Sequence, residues 1–174
     1  MEKKTVRNIA KEIRTKLDIE TISAQLVNKI QELDIFKQAR SILLFYPKAG
    51  ELNLTKLATD KTKTYYLPRL QEDCIECCCW QQGDELKFSK YKILEPCTNA
   101  TPIDQIDLII LPGLCADLQK NRLGYGKGCY DKLLQVSGAI SVFPIPDELL
   151  FKQIPSEAHD QKPDIVITPT KILQ

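Results

Sequence analysis

Arg122, Lys127 and three glycines at alternate positions, Gly124, Gly126 and Gly128, fall within seven residues of the stretch RLGYGKGCYD. Glycines let a backbone approach an oxyanion without interference from Cβ. Their N–H groups can point at phosphate oxygens, and a helix starting in CYDKLL adds partial positive charge. An arginine fork grips planar oxyanions, whereas a lysine is a movable point charge. Asp131, at the expected helix start, would repel phosphate unless a cation lay between them. Mg²⁺ bridging a carboxylate and nucleotide phosphates fits that arrangement. The stretch is neither a Walker A loop nor G-x-G-x-x-G. The competing reading is a surface turn with solvated charges.

Two other groups of residues could do chemistry. Lys3, Arg7, Lys11 and Arg14 are spaced four, four and three, which puts them on one stripe of a helix. Such a stripe is either a solvated face or the border of an anion site built by the loop. Cys74, Cys77, Cys78 and Cys79 cluster in CIECCCW. Cys74-x-x-Cys77 has metal-ligand spacing, but no second Cys or His pair completes a zinc site. The sequence favours a half-buried strand that uses cysteine as a small apolar residue, with a metal module as the rival.

The elements that must position these residues are legible from periodicity. Val6, Ile9, Ala10, Ile13 and Leu17 predict a first amphipathic helix, and Ile19, Ile22, Leu26, Ile30 and Leu33 a second. SILLFYP, TYYLPRL, CIECCCW, AISVFP and DIVITP read as strands, and IDLIILPG is the clearest buried one. Asn53 is a candidate cap for a short helix, and PDELL is a helical turn. The glycine loop is expected to follow the IDLIIL strand directly, near its carboxyl end, where open α/β sheets bind ligands. YDKLLQVSG is expected to form a helix closed by Gly138. Alternating strands and helices imply an α/β sheet with helices on both faces.

The 174 residues suit one domain, residues 1–174, and can bury a core without disulfides or metals. A net charge of +1 gives no sign of a nucleic-acid surface. The N-terminus lacks an apolar leader segment, and the longest apolar runs are too short to span a bilayer. A cytoplasmic protein with reduced thiols, and without nucleic-acid or membrane partners, is expected.

The stretch LPGLCADLQKNRLGYGKGCYDKLL resembles the signature of the 5-formyltetrahydrofolate cyclo-ligases, also called 5,10-methenyltetrahydrofolate synthetases. KEIR resembles their basic N-terminal helix, and YPKAGELN the segment carrying a substrate-binding glutamate. YLPRL, YKILEP and EAHDQKPDIVITP resemble further segments in the same order. The resemblance implies a three-layer α/β/α fold with a mixed, mostly parallel sheet, Rossmann-like and NagB/RpiA-like. It also implies a monomer whose small-molecule substrates are 5-formyltetrahydrofolate and ATP, with Mg²⁺ as cofactor. Phosphorylation of the formyl oxygen would make it a leaving group. Attack by N10 would then close the ring and release phosphate, without a side-chain nucleophile.

Carried onto this sequence, the resemblance implies ATP contacts from Lys11, Arg14, Arg122, Leu123, Gly124, Tyr125, Gly126, Lys127, Gly128, Cys129, Tyr130 and Asp131. Lys127 is the first choice for stabilising the transferring phosphoryl group, with Arg122 beside it as catalytic. Asp131 and Asp164 would hold Mg²⁺. Glu51 would hydrogen-bond the pterin, and Tyr46, Tyr91, Tyr125 and Tyr130 would shape or stack on the folate, with Gly126, Lys127, Gly128 and Cys129 completing that wall. Each has a plainer reading: Glu51 as a turn residue, Tyr46 and Tyr91 as core, Asp131 as a helix-start residue, Asp164 as a strand cap, His159 as a structural hydrogen-bonder. Three positions depart from the family pattern: Cys129 stands where a tyrosine is usual, Ala10 where a lysine is frequent, and Lys92 where glycine is usual. Cys129 and Ala10 motivate the alternative of a folate- or nucleotide-binding protein without turnover.

Overall fold

The computed structural model describes residues 2–72 and 74–174. Helix α1 spans Lys3–Arg14, α2 Ile19–Glu32 and α3 Asp34–Gln38. Strand β1 is Ser41–Leu43, followed by a 3₁₀ turn at Thr55–Thr59, β2 at Thr64–Leu70 and β3 at Ile75–Trp80. Three short strands follow: β4 Leu86–Phe88, β5 Leu94–Pro96 and β6 Ala100–Thr101. Next come β7 Leu108–Ile110, β8 Cys115–Asp117, β9 Arg122–Leu123 and α4 Cys129–Val136. The chain ends with β10 Ile140–Pro144, β11 Leu150–Phe151, β12 Ile165–Ile167 and β13 Ile172–Leu173.

The main sheet has the order β13-β12-β10-β7-β1-β2-β3-β6. Its five central strands are parallel, and β13, β3 and β6 join antiparallel at the two sides. This is the expected mixed, mostly parallel α/β sheet. The continuous apolar strands have a simple cause. Successive side chains point to opposite faces, and both faces are covered. Ile42, Leu108, Ile110, Val142, Ile165 and Ile167 pack in one core with Leu26 and Ile30 of α2 and Phe36 of α3. Leu43, Ile109, Phe143 and Val166 pack in a second core with Val6 and Ala10 of α1 and Leu133 of α4. The result is three layers. No helix among the described residues is long and apolar enough to cross a membrane.

The strand order explains where a ligand can sit. From β1 the chain crosses to β2 on one side, whereas from β7 it travels to β10 on the other. β1 and β7 are neighbours, so a crevice opens beyond their carboxyl ends, at the point where the winding reverses.

Three local expectations need correcting. The glycine loop does not follow β7 directly, because the hairpin of β8 and β9 intervenes. Leu114 N donates to Leu123 O at 2.9 Å, which returns the chain to the end of β7 before the loop begins. Gly138 is not a left-handed helix cap: α4 stops at Val136, and Ser137 is already extended at φ −87°, ψ 135°. Asn53 stands one residue before the cap of its short helix: the N-cap is Leu54, which has no side-chain cap bond, and Asn53 Oδ1 accepts from Thr55 N at 3.1 Å across it.

Candidate functional site

The crevice is a cleft of about 790 Å³. One side comes from the segment after β1, which brings Tyr46, Lys48 and Glu51, and from the β4–β5 turn, which brings Tyr91 and Ile93. The other comes from Arg122 through Asp131, from Lys3 and Arg7 of α1, and from Glu157, His159 and Asp160. Of the residues singled out in the sequence, Tyr46, Glu51, Tyr91 and the whole run Arg122–Asp131 meet here.

The loop is held by the backbone freedom of its glycines and by arginines. Gly126 has φ +102° and Gly128 φ +69°, both left-handed conformations that L side chains rarely adopt. Gly128 is also the N-cap of α4. A Cβ on Gly126 would lie 3.4 Å from the Arg7 guanidinium, and Arg7 Nε donates to Gly124 O at 2.9 Å. Upstream, a Cβ on Gly113 would lie 2.6 Å from the Phe143 ring. The Pro112–Gly113 turn therefore packs on β10 only with glycine there.

The basic stripe of α1 divides between two tasks. Lys3 and Arg7 reach the cleft. Lys3 Nζ contacts both oxygens of Asp160, at 2.9 and 2.7 Å. Arg14 instead turns under the loop and is 9% exposed. Its Nη2 donates to the carbonyls of Gly113 at 2.7 Å and Leu114 at 3.2 Å, and its Nη1 to the Tyr125 hydroxyl at 3.1 Å. Lys11 is exposed and does not line the cleft. The resemblance implies Lys11 and Arg14 for the nucleotide, whereas the structure puts Lys3 and Arg7 at the cleft. Helical spacing identified the stripe but not which turn of α1 faces the loop.

Arg122 and Asp131 form a pair. Arg122 Nη2 lies 2.9 Å from Asp131 Oδ1, with side-chain exposures of 4% and 21%. Arg122 Nη1 donates to Pro112 O at 3.3 Å. The cation beside Asp131 is thus supplied by the protein itself. Lys127 is exposed and its ammonium lies 2.9 Å from the centre of the Tyr91 ring.

Glu51 Oε2 accepts from Lys48 N at 2.8 Å, which closes its turn. Tyr46 stands edge-on to Trp80 with ring centroids 6.4 Å apart. Although Tyr125 as a residue is 44% exposed, desolvation of its phenol end and the nearby Glu51 carboxylate raise that phenol above its ordinary range. Burial does the same to Tyr130.

Asp164 does not line the cleft. Its Oδ2 accepts from Ser141 N at 2.8 Å and Ser141 Oγ at 2.7 Å, tying the start of β12 to β10. His159 lines the cleft but is largely exposed, 3.3 Å from Glu157. The cysteine cluster lies on and before β3. Cys77 is buried, and its thiol is pushed up to about 12 by desolvation. Among the described residues, no group of three or more His, Cys, Asp or Glu side chains could hold a metal ion. Cys77, Cys78 and Cys79 lie on β3, as the strand reading expects, whereas Cys74 is exposed just before it.

Comparison with known proteins gives a consistent picture. Residues 2–169 match the model of the 5-formyltetrahydrofolate cyclo-ligase family. A probable 5-formyltetrahydrofolate cyclo-ligase of Schizosaccharomyces pombe is 27% identical, covering 90% of this chain and 88% of that protein. The 5-formyltetrahydrofolate cyclo-ligase of Escherichia coli is 32% identical, covering 77% and 80%. The NMR structure of Aquifex aeolicus 5,10-methenyltetrahydrofolate synthetase superposes with a TM-score of 0.87 at 28% identity, over 99% of this chain and 92% of that one.

Proposed function

Because this chain belongs to the 5-formyltetrahydrofolate cyclo-ligase family, we propose that it is an enzyme converting 5-formyltetrahydrofolate and ATP to 5,10-methenyltetrahydrofolate, ADP and phosphate. The observation that carries the reading is the meeting of two kinds of wall in one cleft. The glycine loop with Arg7 and Lys127 suits phosphates. Tyr46, Tyr91, Tyr125 and Glu51 suit a flat, hydrogen-bonding heterocycle.

The chemistry follows from the substrate. A formamide carbonyl is a poor electrophile, and its oxygen is a poor leaving group. Transfer of the γ-phosphoryl group to that oxygen makes it leave as phosphate once N10 has attacked the formyl carbon. The protein's part is to bring the two ligands together and to neutralise developing charge. Lys127 is exposed on a flexible stem and can leave the Tyr91 ring, so it is the group to meet the transferring phosphoryl oxygens. Arg7 would hold the nucleotide phosphates. Arg122 is buried and paired with Asp131, so it keeps the loop in shape as well as bordering the phosphates. The Glu51 carboxylate, aimed by its own turn, would accept from the pterin.

Mg²⁺ binds through one or two carboxylates together with phosphate oxygens and water. Asp131 Oδ1 is already held by Arg122 and Gln161 N, so Asp131 would join the one-carboxylate mode only through its other oxygen, and Asp164, engaged with Ser141 and outside the cleft, would not join it. When bound, the ion would offset charge on the nucleotide phosphates.

The test is an absorbance trace. Purified protein is mixed with 5-formyltetrahydrofolate and MgATP, and the near-ultraviolet band of the methenyl product is followed. A rise that requires protein, ATP and Mg²⁺ is expected. Lys127→Ala should slow it by about 10²–10³ with the fold unchanged. A flat trace from folded protein that still binds ATP would replace the reading with that of a binder.

A further inference from the structure

We propose that Tyr91 is a positioning residue that couples the two ligand sites, by holding the Lys127 ammonium on its ring until a ligand claims one of them. This rests on the assignment of the cleft to a nucleotide and a folate. The Lys127 Nζ lies 2.9 Å from the ring centroid, well inside the range of a cation–π contact. A second ammonium, Lys90 Nζ, lies 5.3 Å from the same centroid. The ring is kept in place by a tight turn. Ser89 N donates to Ile93 O at 2.9 Å and Lys92 N to Ser89 O at 2.9 Å. The Ser89 hydroxyl accepts from Tyr91 N at 3.3 Å. The turn is fixed, whereas the lysine is a flexible stem from an exposed loop. The lysine is therefore the partner that moves.

The consequence is thermodynamic. Lys127 cannot sit on Tyr91 and on a phosphate at once, and a pterin cannot stack on a ring face that an ammonium occupies. Nucleotide binding breaks the contact to recruit Lys127 and leaves the ring face open. Folate binding breaks it to use the face and leaves Lys127 free. Whichever ligand arrives first bears the cost, and the second does not. Each ligand then tightens the other by the same factor, as linkage requires. A cation–π contact of ordinary strength gives a factor between about 2 and 30.

The test is binding of the Mg²⁺ complex of a non-hydrolysable ATP analogue, measured by calorimetry without folate. Removing the ring should free Lys127, so Tyr91→Leu is expected to bind the analogue at least about twofold tighter than the wild type. Tyr91→Phe keeps the ring and should match the wild type. In Lys127→Ala, adding Tyr91→Leu should produce no further change. A merely structural Tyr91 would leave analogue affinity unchanged or weaken it on removal, and either result overturns the proposal. Tightening that persists in the double variant overturns it too, because the effect would then not pass through Lys127. A wild-type protein that binds no analogue overturns the nucleotide assignment and this inference together. Normal wild-type binding with an unresponsive Tyr91→Leu overturns the inference alone.

Discussion

Asp131 Oδ1 accepts from Arg122 Nη2 at 2.9 Å and from Gln161 N at 3.1 Å, so one carboxylate oxygen joins β9, α4 and the C-terminal segment. Arg122 is buried, and removing its counter-charge leaves a guanidinium in the interior. Loss of one partner from a buried pair is far more costly than loss of a surface contact. Asp131→Ala is expected to lower unfolding stability by about 2–4 kcal/mol, read as a lower midpoint in urea. Stability within about 0.5 kcal/mol of the wild type would mean the pair is solvated in solution.

Arg14 and Arg7 should separate stability from nucleotide binding. Arg14→Ala strands the carbonyls of Gly113 and Leu114 and is expected to cost about 2–4 kcal/mol. Arg7→Ala should leave stability nearly intact while raising the KM for ATP about tenfold. Lys11→Ala, on an exposed turn of α1, should change neither. A KM effect at Lys11 equal to that at Arg7 would reverse the placement of the phosphates.

Two lysines occupy left-handed backbone. Lys92 has φ +56° and Lys120 φ +63°. A residue with Cβ bears about 1 kcal/mol of strain there that glycine avoids. Lys92→Gly is expected to raise stability by roughly that amount, read by thermal or urea unfolding. Lys120→Gly should gain less, because Lys120 Nζ also donates to Asp164 O at 2.9 Å.

The Lys3–Asp160 pair gives a pH signature. Burial would raise the Asp160 carboxyl, but hydrogen bonds from Lys3 and Glu157 N outweigh it and hold the carboxyl below its usual 3.8. Burial would lower the Lys3 ammonium, but hydrogen bonds to the Asp160 and Glu157 carboxylates outweigh it and hold Lys3 above its usual 10.5. A depressed acid contributes stability above its unfolded value and loses it as pH falls through the folded one. A raised base contributes below its unfolded value and loses it as pH rises through the folded one. The stability difference between wild type and Asp160→Asn should therefore be flat from about pH 5 to 9 and shrink below about pH 4. A difference that grows on acidification would contradict the pairing.

The sequence alone determined the layers, because strands buried on both faces must be continuously apolar, and Leu43, Ile109, Val142 and Val166 leave no polar alternation to misread. It also singled out the run Arg122–Asp131, which lines the cleft, and the family resemblance marked Lys92, now in left-handed backbone, as standing in a glycine's place. The β8–β9 hairpin was hidden. Its strands are short, and their pairing depends on Asp117, a fully buried carboxylate that accepts from Asn121 N, Gln119 N and the distant Ile154 N. Which turn of α1 meets the cleft was hidden too. Spacing fixes neighbours along a helix face, but only its packing against Gly113 and Gly124 sends Arg14 inward and Arg7 to the site. Asp164 next to Ser141, and Lys127 on Tyr91, are contacts across more than twenty residues. Periodicity carries no signal over that range, so the tertiary fold alone decided them.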